Sequence, residues 1–298
     1  GTVVVLTAVL SEVFTFMDPN RAQQIVSKVT PQIFIGLLFI SFSGSWLWSS
    51  ARALLQHYRT QLFLLKDGIQ ISFGLITRRK VEIPQKKIQT IEIFEPWLRR
   101  TMGYGSMYIE TAALGMADGE HRRSEGLIPM IPSNKMEESL SWIAPSIAKN
   151  LWSDELKPAA SRALYRIVGK NLLTAASIAI LSLVFFETYG WLTLFGIPFA
   201  LAIGWLDWSK QGWKITDSTV LSRRGYLTRR TWIMDRRKIQ SVYVFQDPFL
   251  RIQNLGIVVI KGAGSTIFLP LLKWENAVEV LRTLRSSPAA KQEIHSKN

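Results

Sequence analysis

Charged residues are absent between Lys28 and Arg52 and again, apart from Glu187, from Asn171 to Leu206, whereas polar and apolar positions alternate at short range elsewhere. The first uncharged stretch is 23 residues long and centres on Ile33–Ile40. As a helix rising about 1.5 Å per residue, it crosses a hydrocarbon core of about 30 Å. The second block, 36 residues, exceeds one span. Glu187-Thr188-Tyr189-Gly190 reads as a turn, which predicts helices over 168–186 and 190–207 in a tight hairpin. Pro198 is expected to kink the second helix, and Gly196, Ala200, Ala202 and Gly204 to let the two approach. Residues 1–17, apolar apart from Glu12, resemble the end of a further span. With 31–50 they make a first hairpin whose first helix is expected to be truncated, so the chain is expected to be a fragment. No basic segment precedes Val3, so a signal peptide is not expected. Trp46, Trp48, Trp97, Trp191, Trp205 and Trp208 are candidate headgroup anchors.

The polar blocks repeat. Gly74-Leu75-Ile76-Thr77-Arg78-Arg79-Lys80 corresponds to Gly225-Tyr226-Leu227-Thr228-Arg229-Arg230-Thr231, and Lys87-Ile88-Gln89 to Lys238-Ile239-Gln240, at an offset of 151. The likeness continues with a one-residue slip, Pro96-Trp97-Leu98-Arg99 against Pro248-Phe249-Leu250-Arg251. Gly103 then falls on Gly256, and Ile131-Pro132 on Leu269-Pro270. The second copy departs from the first at Met234-Asp235, set against Pro84-Gln85, and is shorter after Gly256. Strands are expected over 58–65, 69–73, 76–83, 87–94 and 106–111, separated by Gly, Pro and Asp. The alternation through Ile91 and Ile93 predicts one buried face. A closing helix carries Met136, Leu140 and Ile143 on one face, with Ser133 as expected cap; Trp274, Ala277, Val278, Leu281 and Leu284 repeat it. Short strands closed by one amphipathic helix suggest a small barrel or curled sheets plugged at one end.

Composition and charge sharpen this pattern. The 298 residues are 48% hydrophobic and 19% charged, with a net charge of +14 and no Cys. That excludes a disordered chain, a disulfide scaffold and any Cys-based site. The net charge is 0 over residues 1–50, +6 over 51–170, −1 over 171–206 and +9 over 207–298. Basicity therefore belongs to the polar blocks and neutrality to the spans. Arg52, Arg59, Arg162, Arg166, Lys170, Lys210 and Lys214 flank the spans on one side, against Arg21 and Lys28 on the other. The positive-inside rule puts both polar blocks in the cytoplasm of a multi-pass plasma- or inner-membrane protein.

The order Gly-Leu/Tyr-x-Thr-Arg-Arg, Ile-Pro-x-Lys-Lys-Ile-Gln, Pro-x-Leu-Arg, Gly, strand and terminal helix resembles the bacterial pleckstrin-homology-like (PH-like) domain of the membrane-anchored YdbS/YdbT-like family. The resemblance covers about 58–143 and 213–285. It implies a membrane α + β chain whose repeated unit is a transmembrane helical hairpin followed by a PH-like bent β-barrel capped by a C-terminal helix. The expected boundaries are a hairpin over 1–52, a PH-like domain over 53–150, a linker over 151–167, a hairpin over 168–208, a second PH-like domain over 209–287 and a disordered tail over 288–298. The family further implies a role in envelope maintenance or stress and a related one-domain partner.

No enzyme signature is found, and no cofactor or metal is expected. His57, His121 and His295 are isolated. Gly103-Tyr104-Gly105 and Gly262-Ala263-Gly264-Ser265 read as turns rather than phosphate loops. The strongest candidates are basic: Arg78, Arg79 and Lys80 with Lys86 and Lys87, and Arg229 and Arg230 with Arg236, Arg237 and Lys238. On neighbouring strands of one hairpin each pair of clusters would meet, facing anionic lipid headgroups of the adjoining bilayer. General basicity near a membrane and a protein-binding face compete with that reading. Nucleic acid is not expected, since Trp232 has only Val81 as counterpart and no stacking platform repeats. Trp97 and Phe249 are expected to cover a barrel end, with interfacial packing as the alternative. The function expected is a membrane-anchored binding or scaffold module, with homo-oligomers allowed by the small-residue helix faces. The alternative is a transporter or channel subunit, for which only Glu12 and Glu187 supply intramembrane charge.

Overall fold

The computed structural model describes residues 31–57, 60–75, 78–111, 127–148, 155–185 and 190–285. The expectations for residues 1–30, for His121, for residues 187–189 of the hairpin turn and for His295 in the 288–298 tail lie outside the described residues. The chain divides into two compact units, residues 1–59 with 73–79, and residues 60–72 with 80–298.

In the first unit, helix α1 (Pro31–His57) takes up the uncharged stretch. Phe39, Ile40, Phe42, Trp46, Leu47 and Trp48 are exposed along it. Within α1, Ser45 Oγ donates to the Ser41 carbonyl at 2.7 Å, which satisfies its hydroxyl without water. The Leu75 amide donates to the Leu55 carbonyl at 3.0 Å.

The second unit holds both polar blocks apart from residues 73–79. In the first block, β1 (Gln61–Leu65), β2 (Gly68–Phe73) and β3 (Arg79–Pro84) form one sheet, and β4 (Ile88–Pro96), β5 (Tyr104–Thr111) and β6 (Leu127–Pro132) belong to another. Short helix α2 (Trp97–Thr101) joins β4 to β5, and α3 (Met136–Ile143) and α4 (Pro145–Ala148) follow β6. After β7 (Lys157–Pro158) come α5 (Ala163–Phe185), a 3-10 segment (Gly190–Phe195) and α6 (Gly196–Ser209). The second block repeats the first with β8 (Gly212–Ile215), β9 (Thr219–Arg224), β10 (Thr228–Asp235), β11 (Ile239–Phe245), α7 (Pro248–Ile252), β12 (Leu255–Gly262), β13 (Ser265–Phe268), β14 (Leu272–Lys273) and α8 (Trp274–Arg285).

No sheet closes into a barrel among the described residues. The strands run β1-β2-β3, then β6-β5-β4-β10-β9-β8-β7, then β11-β12-β13 with β14 beside β12. The central sheet is shared: β4 of the first copy pairs antiparallel with β10 of the second, from Thr228 opposite Pro96 to Met234 opposite Thr90. A sheet edge left open in one copy is thereby satisfied by the next copy rather than by closure. The same pairing overturns the expectation of one buried face on β4. Ile88 through Ile93 are all buried, because β4 is an interior strand covered on both sides.

Hydrogen bonds remove the one-residue slip. Met102 N donates to Leu98 O and Gly103 N to Arg100 O, and Gln253 N donates to Phe249 O and Asn254 N to Arg251 O. The offset thus stays at 151, and Gly103 (φ 77°) is matched by Asn254 (φ 55°) rather than Gly256. Gly256 is the counterpart of Gly105: each sits where a closing helix presses on a strand, and a Cβ would lie 2.8 Å from Met136 Cε at Gly105 and 3.2 Å from Trp274 Cε3 at Gly256. Pro84 and Asp235 both precede 3-10 turns, Gln85–Lys87 and Arg236–Lys238, so Asp235 stands at Pro84. After the shortened loop, Tyr104 pairs with Pro132 as Leu255 does with Lys273. Ile128-Pro129, not Ile131-Pro132, therefore corresponds to Leu269-Pro270. Ser133 opens a 3-10 turn instead of capping α3 through its side chain.

One core lies between the two sheets of the second copy and α8, built on Val220, Met234, Val258, Ile260, Ile267, Ala277 and Leu284. In the hairpin, Pro198 sits in the first turn of α6, just after the 3-10 segment. Its missing N–H breaks no interior hydrogen bond there, so it begins the α-helix rather than kinking it. Gly204 is the close approach: a Cβ would lie 3.0 Å from Val168 Cα, whereas nothing lies within 4 Å at Gly196.

Candidate membrane-facing site

Two helices among the described residues are long and apolar enough to cross a membrane, Ala163–Val184 and Gly190–Ser209. Few of their residues are buried within the protein, and Leu173, Ile180, Val184 and Phe199 are exposed. Their foot is fixed to the second copy. Trp208 Nε1 donates to Ala160 O at 3.0 Å, and Ala160 N donates to Leu271 O at 2.8 Å. Ala160, Ala163, Leu250, Leu255 and Leu271 are buried around them, with Trp208 packed alongside. Trp208, expected as a headgroup anchor, is therefore a structural residue of the foot. Trp191 and Trp205 are exposed on the hairpin, as Trp46 and Trp48 are on α1.

Short helix α7 lies in this foot. Leu250 is its buried residue, while Phe249 and Ile252 are 73% and 83% exposed. The expectation that Phe249 covers a barrel end fails, because the five-residue helix turns Leu250 to the core. Asp247 caps α7, accepting from Leu250 N at 2.7 Å, and pairs with Arg166 of α5 at 3.0 Å. Its carboxyl is held below the usual aspartate range, first by the Leu250 amide and then by the Arg166 guanidinium. Arg162 Nη1 donates to Gln253 O at 3.3 Å, a second tie between α5 and the α7 segment.

Helix α2, the counterpart of α7, reaches the same end by another route. The Asp207 carboxylate of α6 accepts the Tyr226 backbone N–H in the turn between β9 and β10. Tyr226 O accepts from Arg100 Nη1 at 3.1 Å, and Leu227 O accepts from Trp97 N at 2.7 Å. Trp97, Leu98 and Met102 are exposed there, as is Leu227. Trp97, like Phe249, does not cover a barrel end. The foot of the hairpin is thus flanked by exposed apolar side chains from both copies, interleaved with Arg99, Arg100 and Arg251. Arg223 and Arg224, also near this end, have their pKa values pushed down by burial, Arg223 further by neighbouring Arg229; both stay charged.

The basic clusters do not meet as expected. Within each copy, β3 and β4, or β10 and β11, lie in different sheets rather than in one hairpin. Arg229 and Arg230 stand near the start of β10, and Arg236–Lys238 follow its end, about 20 Å away along an extended strand. Arg229 makes a two-pronged bond to Glu95, 2.8 and 2.7 Å, and Arg230 bonds Glu92 at 3.2 Å with its guanidinium 4.9 Å from the Phe94 ring centroid. These cations therefore join the copies to each other. Arg236 donates to Thr216 O and Thr283 O, and Arg237 binds Asp235 at 2.7 Å, which raises the arginine pKa chiefly through that hydrogen bond. Lys238 Nζ donates to Lys86 O at 2.7 Å, which brings the basic 3-10 turns of the two copies together at the end of the shared sheet away from the hairpin. Arg78, Lys80, Lys86 and Lys87 are exposed, and Arg79 opens β3.

Sequence reading missed Glu92 and Glu95. They are the acidic positions of a strand otherwise read as having a solvated face, and their partners lie more than 130 residues away. Among the described residues, no group of three or more His, Asp or Glu is placed to hold a metal.

A family model described as bacterial PH domain matches residues 4–147 and 164–287. The chain is also 26% identical over 217 residues to the UPF0699 transmembrane protein YdbT of Bacillus subtilis (strain 168), covering 73% of this chain and 43% of that protein. It therefore spans less than half the length of this curated relative. No solved structure matches the chain. Two matched segments, one over each copy of the repeat, place this chain in the bacterial PH domain family.

Proposed function

We infer that the protein is a membrane-anchored PH-like scaffold whose cytoplasmic repeats rest on an anionic bilayer surface through α2 and α7. The observation that carries this reading is the shared placement of the two short helices beside the hairpin foot, each exposing large apolar side chains next to arginines. Apolar side chains at that level enter the acyl boundary, while guanidinium groups beside them meet phosphate. Each surface cation contributes about 1 kcal/mol near an anionic leaflet. The basic 3-10 turns stand at the far end of the shared sheet, where they suit a soluble partner better than a headgroup.

The chain contains no Cys, so single labelling sites can be introduced without a background. Spin labels at Leu98→Cys, Ile252→Cys and Lys238→Cys in the 298-residue chain, reconstituted in phosphatidylglycerol-containing nanodiscs, test the reading. Labels at 98 and 252 are expected to meet lipid-dissolved oxygen more than an aqueous nickel reagent, and the label at 238 the reverse. Equal water access at all three overturns the docking. Replacing Arg99, Arg100 and Arg251 by Gln should make the 98 and 252 labels shallower only when the lipid is anionic; no dependence on lipid charge overturns headgroup recognition.

A further inference from the structure

The junction between the repeats is head-to-tail. It uses the β4 edge of the first copy and the β10 edge of the second, which are different edges of the repeat. At the constant offset of 151, β4 corresponds to β11 and β10 to β3. The junction therefore leaves two unused halves of itself: β11 ends one sheet and β3 ends another among the described residues.

Strand β11 shows what an unused half looks like. Its residues alternate between half-buried and exposed, with Tyr243 and Phe245 42% and 52% exposed, where their counterparts Glu92 and Phe94 are buried and half-buried under β10. Phe245 keeps the ring that Phe94 offers to Arg230, and Arg79, at the start of β3, is the counterpart of Arg230. Exposed aromatic residues on an open strand edge are a template for strand addition.

We propose that β11 accepts the β3 edge of a second copy of this chain, repeating between molecules the β4–β10 junction within one. The register follows from the existing one. Thr90 opposite Met234, Glu92 opposite Trp232 and Phe94 opposite Arg230 become Ser241 opposite Ile83, Tyr243 opposite Val81 and Phe245 opposite Arg79 of the second copy. A heterologous contact of this kind propagates into rows or rings. The geometry suits a flat membrane, because the internal junction keeps α2 and α7 at one end and the same step repeated keeps them there.

Val81→Cys and Tyr243→Cys proteins, reconstituted together and oxidised, test the proposal. Crosslinked dimers are expected in the mixture but not from either protein alone. The double variant is expected to give a ladder or a closed ring. Val81→Cys mixed with Val242→Cys should not crosslink, because a one-residue slip turns the side chain to the other face. Phe245→Lys, which sets Lys opposite Arg79 at an already exposed site, should lower crosslinking at least about fivefold. Gln246→Glu, which rebuilds the carboxylate of Glu95 opposite Arg78, should raise it up to about fivefold. Absence of crosslinks in the mixture, as would follow if another protein takes this edge, overturns the proposal. So does crosslinking that ignores register.

Discussion

Strands β4 and β11 occupy the same place in the repeat, yet β4 is buried on both faces from Ile88 to Ile93 while β11 leaves Gln240, Ser241, Tyr243 and Phe245 exposed. Each has a sister strand on one side, β5 or β12; only β4 has β10 on the other. A strand's burial is thus set by its neighbours as much as by its own alternation. Glu92 and Glu95 are tolerated inside because Arg230 and Arg229 arrive with the neighbour; an uncompensated carboxylate there would be costly.

The comparison can be broken most forcefully at the core. Ile91, fully buried, should cost about 3–4 kcal/mol on replacement by Ala, and its counterpart Val242, half-buried, about 1–2 kcal/mol. Urea unfolding of the detergent-solubilised chain measures both, and equal losses would show that the extra neighbour contributes nothing. Next comes the ion pair. Arg229→Ala leaves the nearly buried Glu95 without its cation, for a loss of about 3 kcal/mol, the lower end for a buried pair because Arg229 is 30% exposed. Gln246, the counterpart of Glu95, donates to Leu255 O at 2.8 Å, so Gln246→Ala should cost about 1 kcal/mol. A double-mutant cycle on Arg229 and Glu95 with no coupling would dismiss the junction as an energetic feature.

The short helices give a smaller contrast. Asp247 caps α7 through its side chain and Pro96 does not cap α2. Asp247→Ala should lower the unfolding midpoint measurably and Pro96→Ala should leave it nearly unchanged by the same assay. The smallest effect is on pH dependence. Because the folded state lowers the Asp247 pKa, the carboxylate's contribution is complete above its unfolded value of about 3.9 and disappears as pH falls through the lower folded one. The difference in unfolding midpoint between the protein and Asp247→Asn should shrink as pH falls below about 4; a difference that stays constant from pH 6 to pH 3 would assign the effect to something other than ionisation.

Much of the unit was legible beforehand. The 151-residue repeat, the strands around Ile69–Phe73 and Ser106–Thr111, and the hairpin block follow from periodicity and charge alone. Side-chain likeness places a slip at Pro96-Trp97 that the backbone does not have. Backbone hydrogen bonds keep the offset, and Asp247 takes the cap position that Pro96 holds in the first copy. The candidate site was half legible. The segments that become α2 and α7 stood out by aromatic residues beside arginines, but which residue turns inward was decided by packing: Leu250 fills the foot, and Phe249 is left outside. The arginine clusters looked alike on paper, yet Arg229 and Arg230 are tied to carboxylates while Lys86 and Lys87 are exposed.

By itself the sequence determined where apolar helices alternate with basic β-rich blocks, and that one block is a copy of the other. Hydrophobic periodicity and charge act locally, over a few turns or one strand, so they can be read along the chain. Only the tertiary structure decided that the two copies share a sheet, that no sheet closes into a barrel among the described residues, and that two short helices flank one foot. Those outcomes depend on which strand edge finds which partner across more than 130 residues, and β4, β10 and β11 carry no local signal that distinguishes a paired edge from a free one.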